Sequence, residues 1–130
     1  MRIKQVSIMV ENKEGKLAEA TGFLASKNIN LRALSIADTQ SYGILRIIVD
    51  EPERAAALLT EAGYLTKLTE VLSVAVPDRP GGMDKIVRKL SSSGVGIEYA
   101  YAFPSSDPET AFMVLRVDDN DKAEAVLAED

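Results

Sequence analysis

The chain repeats itself at a fixed distance. The run from Val6 to Leu17, VSIMVENKEGKL, returns sixty-six positions later as LSVAVPDRPGGM, Leu72 to Met83. Ser7, Val10 and Gly15 recur as Ser73, Val76 and Gly81, and Leu17 recurs as Met83. In both copies an alternating apolar stretch, the mark of a strand, passes through a glycine turn into a helical pattern. A repeat on this scale divides the 130 residues into two units, 1–69 and 70–130. Units of this size are marginal alone, so each is expected to lean on its sister or on a second chain.

Within the first unit, Ile3 to Val10 alternates, with Val6, Ile8 and Val10 on one face and Ser7 and Met9 on the other. Asn12 to Gly15 reads as a polar turn, and Lys16 begins a helix whose stripe is Leu17, Ala20, Thr21 and Leu24. Asn28 suits the end of that helix, because asparagine tolerates a left-handed backbone. Asn30 to Ala37 is a second strand, with Leu31, Ala33, Ser35 and Ala37 facing away from Arg32, Leu34 and Ile36. Turn formers between Asp38 and Gly43 lead to a third strand, Ile44 to Val49. Pro52 fits the first turn of a second helix lined by Ala55, Leu58, Leu59 and Ala62. Gly63 stops it, and Tyr64 to Thr69 is a fourth strand.

The order is βαββαβ, with two helices on one face of an antiparallel sheet: an α+β, ferredoxin-like unit. The second unit repeats it. Val71 to Val76 is a strand, and Met83, Ile86, Val87 and Leu90 form a helical stripe ended by Gly94. Val95 to Phe103 and Ala111 to Val117 are strands around a turn at Pro104 to Glu109, and Asp121 to Glu129 is a helix. The alignment runs out with Asp130 opposite Ala62, so the second repeat is expected to lack its last strand. Either its sheet has three strands, or the sequence is a truncated form of something longer.

The helix-free face of each sheet carries more apolar residues than a wetted face needs. Ile44, Ile48, Phe112 and Val114 all fall there, which suggests a covering sheet, from the sister repeat or from a second subunit. Isolated exposed aliphatics are the plainer alternative.

The sequence has no cysteine and no histidine, which removes disulfides, thiolate nucleophiles and Ser-His or Cys-His catalysis. A net charge of −5 argues against a nucleic-acid partner. No apolar run approaches membrane-spanning length, and the N-terminus enters a strand pattern without a signal-peptide core. A cytoplasmic protein is expected.

The strand-to-helix turns are the best place for chemistry. At Asp78-Arg-Pro-Gly-Gly-Met83, the two glycines let backbone N–H groups at a helix start approach a ligand, where the helix dipole favours an anion such as a carboxylate. Arg79 adds positive charge, and Asp78 suits an ammonium. The first turn has the same outline, with Asn12 and Lys16 supplying polar atoms. The plainer alternative is that Asn12 and Asp78 only start helices and the glycines only turn the chain. Asp118, Asp119 and Asp121 are an oxygen-rich cluster, but helix N-terminal charge accounts for them more simply than a metal. Tyr99 and Tyr101 share a strand face, where packing is favoured over base stacking in so acidic a chain.

These residues resemble those of tandem ACT-domain proteins, amino-acid-binding regulatory modules found on enzymes of amino-acid metabolism. The doubled βαββαβ order carries the resemblance, with the turn motif Asp-x-Pro-Gly-x-Leu present as Asp78, Pro80, Gly81 and Met83. The first copy has Asn12, Gly15 and Leu17, with Glu14 in the proline place. The family's Gly-Ile-Asn-Ile at the second strand is matched by Asn28-Ile-Asn-Leu31 and by Gly94-Val-Gly-Ile97.

The resemblance implies ligand contacts at Asn12, Gly15, Lys16, Leu17 and Asn30, and at Asp78, Gly81, Gly82, Met83 and Gly96. The ligand it implies is an amino acid held between ACT units whose sheets lie side by side. Gly96 stands where the first copy has Asn30, so a composite site pairing the Gly81 turn with Asn30 of a neighbouring unit is expected. The function implied is a regulatory protein without catalysis or cofactor, a homodimer through sheet packing, whose ligand couples occupancy to packing. The alternative is an interaction subunit docking on an amino-acid biosynthetic enzyme, such as acetolactate synthase, without binding ligand itself. A small enzyme on this scaffold would need convergent acid-base groups, and no such set stands out.

Overall fold

A computed structural model of the chain describes residues 2–38 and 41–129, apart from the side chain of Asp38. Thr39 and Gln40, within the expected turn, and Asp130, where the repeat alignment ends, lie outside the described residues. The elements are β1 (Arg2–Glu11), α1 (Lys16–Ser26), β2 (Leu31–Asp38), β3 (Tyr42–Val49), α2 (Pro52–Glu61), β4 (Thr66–Pro77), α3 (Gly82–Ser92), β5 (Ile97–Pro104), β6 (Thr110–Val117) and α4 (Asn120–Leu127). They form two compact units. One is Lys4–Thr69; the other joins Arg2 and Ile3 to the residues from Glu70 onward.

In the first unit the strands lie in the order β2-β3-β1-β4. β3 runs antiparallel to both β1 and β2, and Met9 N–H donates to Leu65 O at 3.0 Å where the chain enters β4. The alternation in β1 resolves as expected: Val6, Ile8 and Val10 are buried, with Ala20 and Leu24 of α1, Leu45 and Ile47 of β3, and Ala55 and Leu59 of α2. Full burial of each large aliphatic is worth about 1.5–3 kcal/mol, and this shared stripe holds the helices to the sheet.

In the second unit β4, β6 and β5 are neighbours in that order, all antiparallel. Its core repeats the first, with Leu72, Val74 and Val76 of β4, Leu90 of α3, Met113 and Leu115 of β6, and Ala123 of α4. Among the described residues no strand follows α4. Arg2, at the start of β1, belongs to this unit instead, and its guanidinium pairs with Glu124 at 2.7 Å and with Asp121, both on α4.

Three expectations need correction. The stretches Tyr64 to Thr69 and Val71 to Val76 are not separate strands, because β4 runs unbroken from Thr66 to Pro77. No glycine, proline or asparagine interrupts that run, so nothing turns the chain. Leu17, Met83 and Val87 sit on their helices' outer margins, 38–41% exposed, because the buried stripes narrow to Ala20 and Leu24 and to Leu90, with Ile86 only half-buried.

The third correction concerns β2, where Leu31 and Ala33 do not share a face. The register shifts between them: Leu31 opposes Val49 of the core, whereas Ala33 opposes Ile48 on the far side. The same irregularity recurs between Ile97 and Tyr99. A bulge inserts one residue and so reverses the facing of all that follow. Leu34 and Ile36 are thereby brought to the side of Ile47 and Leu45, which they oppose, yet on this edge strand they remain 48% and 43% exposed.

On the helix-free side, Ile48 and Val114 are buried, and Ile44 and Phe112 are half-buried. Phe112 stacks on Phe103 with ring centroids 5.2 Å apart.

Truncating Ile47 to alanine should lower the unfolding free energy by about 2–5 kcal/mol. Truncating Leu34 should cost no more than about 0.5 kcal/mol. Urea denaturation of the two variants checks that burial falls away from β3 to the edge strand β2, although the two residues oppose each other on one face.

Candidate functional site

The two strand-to-helix turns close in the same way. Gly15 and Gly81 are the residues before α1 and α3, with φ of 84° and 87°, and neither helix start is capped by a side chain. The glycines, not Asn12 and Asp78, hold the N-cap positions. Asn12 N–H donates to Ser41 O at 2.9 Å, and Asp78 N–H to Glu109 O at 2.8 Å. Both residues thus tie the turn to the loop joining the next two strands. The first N–H of each helix turns back into the turn, Lys16 N–H donating to Lys13 O at 3.2 Å and Gly82 N–H to Arg79 O at 3.0 Å, and the N–H groups that follow stand at the positive end of the dipole.

Beside the first turn lies an open cavity of about 320 Å³, entirely within the first unit. Lys16 and Glu19 project from α1, Glu11 and Tyr42 from the ends of β1 and β3, and Tyr64 from the loop after α2. Lys16 Nζ lies 3.3 Å from Glu19 Oε2, and the Tyr64 hydroxyl donates to Glu19 Oε1 at 3.3 Å. Glu19 thereby gathers two elements onto one carboxylate. Its hydrogen bond and charge raise the pKa of Lys16. Burial first, and the charge of Glu19 second, raise that of the Tyr64 phenol. Both side chains therefore hold their protons at neutral pH. Gly63, left-handed at φ 99°, lets the chain leave α2 toward Tyr64, whose ring meets Phe23 at 6.3 Å.

The second turn borders a wider hollow of about 580 Å³, formed by Pro77, Asp78 and Arg79 facing Asp107, Glu109 and Thr110. Asp107 is occupied by its own loop, accepting from Glu109 N–H at 3.0 Å and from the Thr110 hydroxyl at 3.2 Å.

The sequence matches the family model for an ACT domain pair over residues 1–130. The chain belongs to the ACT domain pair family. Protein BT0572 from Bacteroides thetaiotaomicron is similar at 41% identity and a TM-score of 0.91, over 98% of this chain and 88% of that one. The ligand-free regulatory subunit of aspartate kinase from Thermus thermophilus shares the fold at 20% identity and a TM-score of 0.71, over 96% and 88% of the two chains. Its counterpart from Thermus flavus does so at 18% and 0.68, over 98% and 92%. No protein with a curated description matches.

Against this ACT pair, the expected contact residues separate into two groups within each unit. Asn12, Gly15, Lys16 and Leu17 gather at one end of the first sheet, where Glu11 opposes Tyr42. Asn30 precedes Leu31 at the other end, opposite Val49, roughly 23 Å away at the usual strand rise. Asp78, Gly81, Gly82 and Met83 lie likewise at the Pro77–Thr110 end of the second unit, and Gly96 at the Ile97–Val117 end. Gly96 N–H donates to Asp118 Oδ1 at 3.1 Å, and a Cβ there would meet Asp118 Oδ2 at 2.9 Å. Asp119 caps α4 by accepting from Lys122 N–H. Among the described residues no cluster fits a metal ion.

Sequence reasoning missed Glu19 and Tyr64. Glu19 stands three residues after Lys16, a spacing that puts both on one helix face next to the turn. Tyr64 carried no signal, because only the fold brings it back to α1.

The glycines at the second turn differ in kind. Gly81 has open space where a Cβ would stand, so Gly81→Ala should cost only its left-handed strain, about 1–2 kcal/mol. A Cβ on Gly82 would fall 2.1 Å from Pro77 O, so Gly82→Ala should destabilise more, by chemical denaturation.

Proposed function

We propose that this ACT pair is a non-catalytic regulatory protein that binds a small molecule, an amino acid, at its strand-to-helix glycine turns, residues 1–69 and 70–130 forming the two ACT-like repeats. The family match across both repeats is the observation that carries this reading. Two likenesses of the same fold are regulatory subunits of aspartate kinase, which supports a role in controlling enzymes rather than performing catalysis. The turns supply what a carboxylate needs, oriented N–H groups at a helix start, and the first adds Lys16. Asn30 and Gly96 take part where another unit brings them to a turn, as in a homodimer.

A second reading rests on Leu34 and Ile36, exposed on the edge strand of the first unit. An apolar edge of this kind suits a docking subunit that regulates a biosynthetic enzyme by contact alone.

A thermal-shift screen against the twenty amino acids at millimolar concentration separates the two. At a hundred times its Kd, one selective ligand stabilises by about 2.7 kcal/mol and raises the Tm by several degrees. A flat screen favours docking.

A further inference from the structure

We infer that the first unit alone holds the ligand, in the cavity of Lys16, Glu19 and Tyr64, and that this ligand is a neutral amino acid with an apolar side chain. The inference rests on the amino-acid-binding reading and narrows it to one place and one class.

The polar groups of this cavity come as a matched set. Lys16 is a cation and Glu19 an anion 3.3 Å apart, with the Tyr64 hydroxyl on the other carboxylate oxygen. A zwitterion laid alongside this pair meets a partner for each charge. Its carboxylate faces Lys16 and the N–H groups opening α1, and its ammonium faces Glu19. Because the pair is exposed and already neutral, swapping the charges between pair and ligand leaves none of the four unpaired.

Apart from Glu11, whose carboxylate lies 3.2 Å from Lys13 Nζ, the rest of the wall is largely apolar and open. Met9, Tyr42 and Leu65 line the cavity while 43%, 47% and 70% exposed. Three large apolar side chains around one hollow of about 320 Å³ form a seat for an apolar group. An aspartate side chain there would face that wall and Glu11, and a lysine side chain would have to displace Lys13 from Glu11 to find a partner for its extra charge. The second unit lacks the set. The repeat puts Gly82 where the first has Lys16, Lys85 in place of Glu19, and Thr110 in place of Tyr42.

Isothermal titration of the whole chain with L-leucine, L-lysine and L-aspartate tests this, with circular dichroism to verify that each variant folds. L-leucine should bind once per chain, about tenfold or more tighter than the other two. Lys16→Ala should weaken L-leucine about tenfold or more, and Tyr64→Phe a few-fold, while Arg79→Ala leaves it unchanged. Two sites per chain would overturn the inference, as would equal affinity for L-lysine or L-aspartate. So would unchanged binding by Lys16→Ala, and a loss in Asn30→Ala with Lys16→Ala intact would place the ligand in the composite site instead. In those cases amino-acid binding itself survives. If none of the twenty amino acids binds, both readings fall together.

Discussion

Each unit depends on reversing direction between a strand and the helix that must pack back on it. The strand ends at the sheet's rim, and the helix has to start within a few residues, already aimed over the core. A left-handed residue makes that reversal, and glycine adopts it without the Cβ clash that other residues meet. Gly15 and Gly81 do this with nearly identical φ, 84° and 87°. The placement of α1 and α3 follows, and with it the burial of Ala20 and Leu24 in one unit and Leu90 in the other. The same turn takes up the first N–H of each helix and leaves those that follow at the positive end of the dipole. Fold and the proposed binding chemistry therefore share one local conformation, so the turn cannot drift while the fold persists.

Much of the architecture was legible because both periods in it are short. Alternation in β1 and the 3- and 4-residue spacing in α1 depend on neighbours in sequence, and the sixty-six-residue repeat doubled every such signal. The bulges after Leu31 and Ile97 were not legible. Arg32 and Glu98, which follow them, are ordinary strand residues, and only pairing with β3 and β6 shows the register shift. The continuity of β4 was hidden by counting two repeats as separable, when Thr69, Glu70 and Val71 contain nothing to stop a strand. The turns were legible from their glycines, but the cavity beside the first was not. It needs Tyr64 against Glu19, forty-five residues apart, and no local pattern encodes that meeting.

Duplication gives two copies of the turn, but sterics keep them from doing the same work. Lys16 and Gly82 occupy equivalent positions, each the first residue of its helix. Lys16 carries a side chain into the first cavity, where it meets Glu19. Gly82 is buried against the end of β4, and any Cβ would sit 2.1 Å from Pro77 O. No lysine fits there unless the turn itself is rebuilt. The proline and glycines that make the second turn look more like the family's motif are thus the residues that deny it a cation at this point. Motif quality and ligand chemistry separate in this chain: the second copy keeps the sharper turn, and the first, with Glu14 in the proline place, keeps room for the charge.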